Sequence, residues 1–341
     1  MIPTGGSSGQ IRFAMHTWET LLASVQGFQQ YFQQQQINAC CVLSLYHVSG
    51  LMQFLRAFLS GGQLAIYSFK SVEAGQTVDL PTHQFFLSLV PTQLQRLLVN
   101  PQTCQWLSQF YTVLLGGAPA WPSLLLQAKQ QGIRLAPTYG MTETASQVAT
   151  LKPEDFLRDR LGCGQVLPHA KVLIYSEEGK QLGCNQTGII QIQAHSLALG
   201  YYPHPWVGDN SAVYKTDDLG YLDEQGYLHV VGRTSNKIIT GGENVYPAEV
   251  ETAIYNTSLV KEVCVVGVPD EHWGQVIAAV YVPRAPEIPV FQLKAALANQ
   301  ISSFKQPKVW ITIDQLPRNA QGKINIIQIQ KIVVAHSRRS C

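Results

Sequence analysis

Apolar residues recur at helical spacing from Trp18 to Phe32, at Leu21, Leu22, Val25, Phe28, Tyr31 and Phe32, which predicts an amphipathic helix. Short continuous apolar runs at Ala39–Leu45, Leu64–Ser68, Phe85–Val90 and Tyr111–Leu115 predict buried strands. Between them Leu51–Leu59, Pro91–Val99 and Pro122–Gln131 carry helical patterns, the last two opening on a proline that suits a first helical turn. This alternation predicts an α/β fold whose mostly parallel sheet is covered on both faces. From Val166 to Ile192 the runs shorten, with turns at Glu178-Gly179 and Thr187-Gly188, and predict a small β-rich subdomain over about 160–232. Beyond Gly232 the pattern changes again: strands at Val263–Val268, Ile277–Val282 and Val309–Ile313 stand beside helices at Ala248–Tyr255 and Phe291–Phe304. The expected division is a large domain over 1–234 and a small α+β domain over 235–341, with no internal repeat.

Composition narrows the class. The 341 residues suit two domains, or one large domain with a satellite. Charge is nearly balanced, 24 Lys+Arg against 22 Asp+Glu, so no basic field marks a nucleic-acid or acidic-membrane partner. Only 13% of residues are charged, and 35 glutamines supply much of the remaining polarity, which points to a surface rich in neutral amides. Gln, Gly or Pro interrupts every candidate membrane span, and Met1-Ile2-Pro3 runs into Gly and Ser without the basic and apolar regions of a signal peptide. Seven cysteines with no C-x-x-C pair argue against a disulfide framework or a zinc site. The expectation is a soluble protein of the cytoplasm.

Five segments could carry chemistry. In Pro3-Thr4-Gly5-Gly6-Ser7-Ser8-Gly9-Gln10-Ile11-Arg12, glycines permit close backbone approach while hydroxyls and N–H groups can cradle phosphate oxygens. It lacks the G-K-[ST] ending of a P-loop, and a flexible Gly/Ser terminus is the plain alternative. In Thr138-Tyr139-Gly140-Met141-Thr142-Glu143-Thr144 an aromatic ring able to stack on a purine precedes a hydroxyl and a carboxylate suited to Mg²⁺, unless the stretch is an ordinary loop after a strand. Asp217-Asp218, followed by Arg233, could hold a ribose diol, or could simply turn between strands. Asn236–Pro247 and Pro317–Lys323 each place a lysine near glycines on an exposed loop, where a lysine is ordinarily just solvated.

Together and in this order, the five segments resemble the adenylate-forming superfamily of acyl-CoA synthetases, nonribosomal adenylation domains and luciferases. The resemblance runs from Pro3 to Lys323. Leu115-Gly116-Gly117-Ala118-Pro119 is similar to the family's adenine-side loop, and Gly162-Cys163-Gly164-Gln165-Val166-Leu167-Pro168 to its G-x-x-G-x-P turn. Within the superfamily, Leu45–Leu51, Gly140–Gln147 and Ile239–Pro247 resemble the o-succinylbenzoate–CoA ligases of menaquinone and phylloquinone biosynthesis. The opening PTGGSSGQIRFAMHTW resembles the cyanobacterial version, whose loop ends in Arg rather than Lys.

The resemblance implies ATP, Mg²⁺ and CoA, with an aromatic carboxylic acid as the other small-molecule substrate, and it leaves a homodimer open. It assigns Thr4, Ser7, Ser8 and Gly9 to the β,γ-phosphates with Arg12 as a clamp, Thr142 to the α-phosphate and Glu143 to the metal. Tyr139, Gly140 and the Gly116, Gly117 and Ala118 backbone would hold adenine, and Asp218 and Arg233 the ribose. Lys323 would bridge carboxylate and α-phosphate, delivered by rotation about a hinge at Ser235. His47 is either a capping or core histidine or, with Ser49 and Gly50, a wall of the acid pocket; Ser146 and Gln147 would reach a substrate carbonyl or carboxylate. Family members carry a sizeable region before the phosphate loop, so the large domain is expected to be N-terminally incomplete. The rival expectations are another aryl or fatty acid–CoA ligase, and a truncated, inactive nucleotide-binding protein.

Overall fold

Trp18–Phe32 is a helix over its whole predicted length, and its start is fixed locally. The Thr17 hydroxyl accepts the Thr20 N–H at 3.3 Å while the Thr20 hydroxyl accepts the Thr17 N–H at 3.2 Å, a reciprocal cap. The computed structural model describes residues 1–5, 11–76, 80–206, 213–285, 288–318 and 324–337. They form two compact units: Met1–Ala120, Leu124–Thr216 and Gly220–Val230 in the first, and Trp121–Ser123, Asp217–Leu219 and the chain from Val231 in the second.

The first unit is built on a sheet that, among the described residues, has seven strands. Their order is Leu64–Ile66, Asn38–Cys41, Phe85–Leu89, Thr112–Leu115, Leu135–Met141, Ser146–Thr150 and Gln165–Val166. The first five pair in parallel and the last two antiparallel. Phe85, Phe86, Leu87 and Leu89 are all buried, as are all four residues of Thr112–Leu115, so both faces of the central strands are covered. Phe28, Tyr31 and Phe32 of the first helix meet Phe86, Leu114 and Ala136 on one of those faces. A second sheet pairs Ile2–Gly5 with Ile11–Met15 and then with Gly200–Tyr201, which makes the flanks of the Gly/Ser segment a hairpin rather than a loose terminus. A third runs Ala170–Tyr175, Gly188–Ala194, Tyr214–Leu222, Leu228–Arg233.

The second unit pairs Val260–Asp270 with Gly274–Pro283 in a long hairpin, flanked by Ile238–Thr240, Glu243–Val245 and Val309–Thr312. After a register shift between Val260 and Glu262 the side chains alternate: Val263 and Val265 face helices Pro247–Asn256 and Val290–Leu297, whereas Cys264, Val266 and Val268 face helix Ile326–Ser337.

Several expectations are corrected. The strand expected over Ala39–Leu45 ends at Cys41, where the chain turns into helix Val48–Ser60 through a Ser44–His47 hydrogen bond. Thr138–Met141 is strand, not loop, and Asp217-Asp218 lie inside strand Tyr214–Leu222 rather than at a turn. The helix expected over Phe291–Phe304 stops at Leu297, because Asn299, Ser302 and Ser303 favour turn and cap conformations. The terminal helix was hidden by β-branched residues. Asn325 caps it by accepting the Gln328 N–H, and Ile329 and Val333 bury one face.

Gly164 and Gly179 share a backbone conformation, with φ of +82° and +83°. A Cβ on Gly164 would lie 1.9 Å from the Thr150 carbonyl, while one on Gly179 would meet nothing within 4 Å. Gly179→Ala should therefore cost only the left-handed strain, about 1–2 kcal/mol. Gly164→Ala should cost about 4 kcal/mol or more, since two backbones must part. Urea unfolding of the two variants separates these outcomes.

Candidate active site

The turn Thr142–Thr144, between strands Leu135–Met141 and Ser146–Thr150, is fastened from several directions. The His16 ring donates through Nε2 to the Thr142 carbonyl at 2.8 Å, and Ser24 donates to the Ala145 carbonyl at 2.7 Å, so the first helix and the residue before its cap grip both ends. The Ala198 N–H donates to the Glu143 carbonyl at 2.8 Å. Because a carbonyl only accepts, Nε2 carries the His16 proton, and Nδ1 lies 3.0 Å from the Thr20 hydroxyl. Burial holds the His16 pKa below its usual value and keeps the ring neutral. Ala145 and Ser146 both have positive φ, 49° and 92°, a strained pair held by these bonds. Gly140 faces the Ser146 carbonyl so closely that a Cβ would lie 2.1 Å from it, so only glycine lets the two strands meet there.

The turn presents Glu143, whose side chain is buried. Its Oε1 accepts the Tyr201 hydroxyl at 2.5 Å and the Thr4 hydroxyl at 3.4 Å. Among the described residues no hydrogen bond reaches Oε2. A carboxylate with one oxygen fixed and one open suits Mg²⁺, which takes one or two carboxylates and completes its shell with phosphate oxygens and water. No cluster of three or more metal-ligating side chains exists among the described residues, so the metal would depend on the nucleotide. The Arg12 guanidinium lies over the Tyr201 ring, 4.2 Å from its centroid.

Two residues beyond the turn lies a feature that sequence reasoning missed. Arg56, in helix Val48–Ser60, is 3% exposed and has no carboxylate partner among the described residues. Its guanidinium donates to Ser146 Oγ at 3.1 Å and Gln147 Oε1 at 2.9 Å, stacks 4.1 Å from the Phe28 centroid, and leaves Nε without a partner. Burial pushes its pKa down to about 9, and it stays a cation at neutral pH. His169 is buried with both ring nitrogens unpartnered, and its pKa is pushed down to about 4, by burial first and then by Arg56 and His195. The Ser196 hydroxyl and Gln53 Oε1 are unpartnered as well. A buried cation that meets only neutral acceptors is an anion site in waiting.

The other expected residues fall as follows. Gly116, Gly117 and Ala118 follow strand Thr112–Leu115, with Gly116 against the Thr138 hydroxyl. Tyr139 is buried beside Val148, Ala149, Ile190 and Ile192. His47 is half-buried and takes the N-cap position of its helix, where its carbonyl accepts the Leu51 N–H at 2.9 Å and its side chain makes no cap hydrogen bond. Ser49 is exposed in the first turn, and Gly50 packs on the Ser44 carbonyl. In the second unit Asp218 is buried and accepts Arg233 Nε at 2.8 Å, while Asp217 accepts both the N–H and the hydroxyl of Ser235. Ser7, Ser8, Gly9 and Lys323 lie outside the described residues.

The sequence profile of the AMP-binding enzyme matches residues 1–202, and that of the AMP-binding enzyme C-terminal domain matches 249–323. The chain belongs to the AMP-binding enzyme family. It is 35% identical over 327 residues to a 2-succinylbenzoate–CoA ligase of Enterococcus faecalis, covering 94% of this chain and 67% of that one. With the same-named enzyme of Oceanobacillus iheyensis it shares 37% over 287 residues, 83% of this chain and 58% of the relative. It therefore spans about three fifths to two thirds of the length of these relatives. Among solved structures, o-succinylbenzoate CoA synthetase of Bacillus subtilis with its acyl-adenylate intermediate superposes with a TM-score of 0.84 at 29% identity, covering 96% of this chain and 68% of that one. The same enzyme with ATP and magnesium gives 0.83 at 28%, covering 97% and 69%. The fold of this AMP-binding enzyme is thus the adenylate-forming one, in the α/β class its pattern predicts.

His16, Arg56, His169 and Tyr201 are the contributors that the motifs did not single out. His169 supplies a test of this AMP-binding enzyme's polar interior. Its folded pKa of about 4 lies below its ordinary 6.5, so the unfolded chain binds the extra proton in that window. Stability should fall as pH drops through the window. His169→Leu removes this component, so denaturant unfolding across the same range should show the variant gaining on the parent as pH falls.

Proposed function

We propose that this AMP-binding enzyme ligates o-succinylbenzoate to CoA through an acyl-adenylate, in the biosynthesis of menaquinone or phylloquinone. The names of its relatives support the substrate class, and the uncompensated Arg56 is the observation in this chain that carries it. o-Succinylbenzoate has two carboxylates. One is consumed in the adenylate, and the other stays an anion that a buried guanidinium with neutral partners can neutralise. A monocarboxylic fatty acid would leave that cation unmatched.

In the first half-reaction the acid carboxylate attacks the α-phosphorus of ATP in line, forming acyl-AMP and releasing pyrophosphate. In the second, the CoA thiol attacks the acyl carbonyl and AMP leaves. Such transfer depends on positioning and charge neutralisation more than on covalent help. Thr4, Ser7, Ser8, Gly9 and Arg12 are assigned to the β,γ-phosphates, Thr142 to the α-phosphate, and Lys323 to the charge that builds between carboxylate and phosphorus. Mg²⁺, when bound, neutralises phosphate charge, and Glu143 Oε2 is the oxygen this chain offers it. Tyr139, Gly140 and the Gly116–Ala118 backbone are assigned to adenine, and Asp218 and Arg233 to ribose. Ser235 is the proposed hinge, and the bonds from Asp217 would hold one of its settings. His47, Ser49 and Gly50 are assigned to the acid pocket, with Ser146 and Gln147 holding Arg56 in place. No helix among the described residues is long and apolar enough to cross a membrane. The free thiols of Cys40, Cys41, Cys104, Cys184 and Cys264 support a cytoplasmic setting, and sedimentation tests the homodimer that this reading carries.

ATP–pyrophosphate exchange with o-succinylbenzoate, benzoate and octanoate in parallel is the decisive assay. Exchange should occur with o-succinylbenzoate alone and be lost in Lys323→Ala. Arg56→Met should raise the o-succinylbenzoate concentration for half-maximal exchange about 10–100-fold, the worth of one hydrogen-bonded charge. Exchange with octanoate instead would make this a fatty acid–CoA ligase. Silence with all three acids in a folded, ATP-binding protein would make it an inactive nucleotide binder.

A further inference from the structure

The hairpin Ile2–Gly5/Ile11–Met15 and the added strand Gly200–Tyr201 set a register that the motifs alone do not reveal. Thr4 stands opposite Arg12, and Tyr201 stands opposite Ala14, two residues along the same strand. Residues two apart on a strand share a face, so Thr4, Arg12 and Tyr201 project from one side of this small sheet. Two of the three hydroxyl-bearing or charged groups on that face end on a single atom, Glu143 Oε1: the Tyr201 hydroxyl at 2.5 Å and the Thr4 hydroxyl at 3.4 Å. The third, the Arg12 guanidinium, lies over the Tyr201 ring with its central carbon 4.2 Å from the centroid. Tyr201 also meets Trp206 edge-on at 5.7 Å, and its hydroxyl lies 3.4 Å from that of Tyr214.

We propose that Tyr201 is a positioning residue for the metal–nucleotide complex, and that Arg12 acts through the Tyr201 ring. This rests on the assignment of Glu143 to the metal in the proposed function. The hydroxyl of Tyr201 occupies Oε1 and so turns Oε2 outward as the carboxylate's one open oxygen. The guanidinium clasps the ring that carries this hydroxyl. A planar guanidinium makes that contact better than an ammonium on a flexible stem, which gives a physical reason for arginine at a position where related loops end in lysine. Removing the hydroxyl frees the Glu143 carboxylate to rotate, so the orienting cost falls on metal binding and not on the nucleotide or the acid.

Binding of Mn²⁺ in the presence of ATP, followed by its electron paramagnetic resonance, reads this directly in the full chain, with metal-free ATP binding by calorimetry alongside. Tyr201→Phe keeps the ring and its packing and should weaken Mn²⁺–ATP binding about 10-fold, the value of a hydrogen bond to a charged group. Metal-free ATP binding and the half-saturating acid concentration should stay at parental values. Arg12→Lys should weaken Mn²⁺–ATP binding about 3-fold, as loss of stacking on a half-buried ring implies. In a Tyr201→Leu background the same Arg12→Lys change should cost less than it does in the parent, because the ring contact is already gone and only the assigned phosphate contact is left to lose. Parental Mn²⁺–ATP affinity in Tyr201→Phe, or an equal loss of metal-free ATP binding, overturns the proposal while leaving the ligase reading intact. A parent protein that binds no ATP overturns that reading and this inference with it.

Discussion

The site depends on one short turn whose carbonyls are held from outside it. The Thr142, Glu143 and Ala145 carbonyls accept from His16, Ala198 and Ser24, groups that come from opposite ends of the first unit's sequence. Two consecutive residues with positive φ would relax without such restraint. The strain is held because each anchor is itself fixed. His16 precedes a reciprocally capped helix, Ser24 lies within that helix, and Ala198 follows a strand of the third sheet. The positions of Glu143, Ser146 and Gln147 follow from this fastening.

Around the turn stand two buried charges of opposite sign that are not paired with each other: Glu143 within it, and Arg56, which binds the two residues Ser146 and Gln147 just beyond it. Glu143 is held by hydroxyls and Arg56 by a hydroxyl and an amide. Either charge could have been cancelled by an internal partner, at the loss of its capacity for a ligand. Neutral hydrogen bonds keep each charge oriented while leaving its field unspent, which is how preorganised sites favour charged substrates. A phosphate-bound cation and a substrate carboxylate are the natural complements of the two.

Much of the architecture was legible from periodicity. Trp18–Phe32 repeats its apolar residues every three to four positions, as a helix should, and Phe85–Leu89 is a short run with no polar face, as a covered parallel strand should be. Asp217-Asp218 could be read as a turn because adjacent acidic residues favour turns; pairing within the sheet makes them strand, and Arg233 and Ser235 partner their carboxylates. The helix at Ile326–Ser337 was hidden because Ile and Val dominate it and local propensity pointed elsewhere. At the site, contiguous motifs marked Glu143 and Thr4, but Tyr201 and His16 act across 58 and 126 residues of sequence. Arg56 reads in sequence as the one charged residue of a mostly apolar helix, and its meaning comes only from what the fold puts around it.

Gly27 lies in the middle of the first helix, where glycine is ordinarily a poor choice. A Cβ there would come within 1.9 Å of His169 Nδ1, so the missing methyl is the space that the imidazole occupies. The two positions are therefore sterically coupled. A β-carbon at 27 would force the imidazole at 169 to shift or be replaced, and with it one of the neutral groups that surround the Arg56 charge. Either change made alone would meet a steric barrier or leave a hole, so the pair should be inherited or lost together.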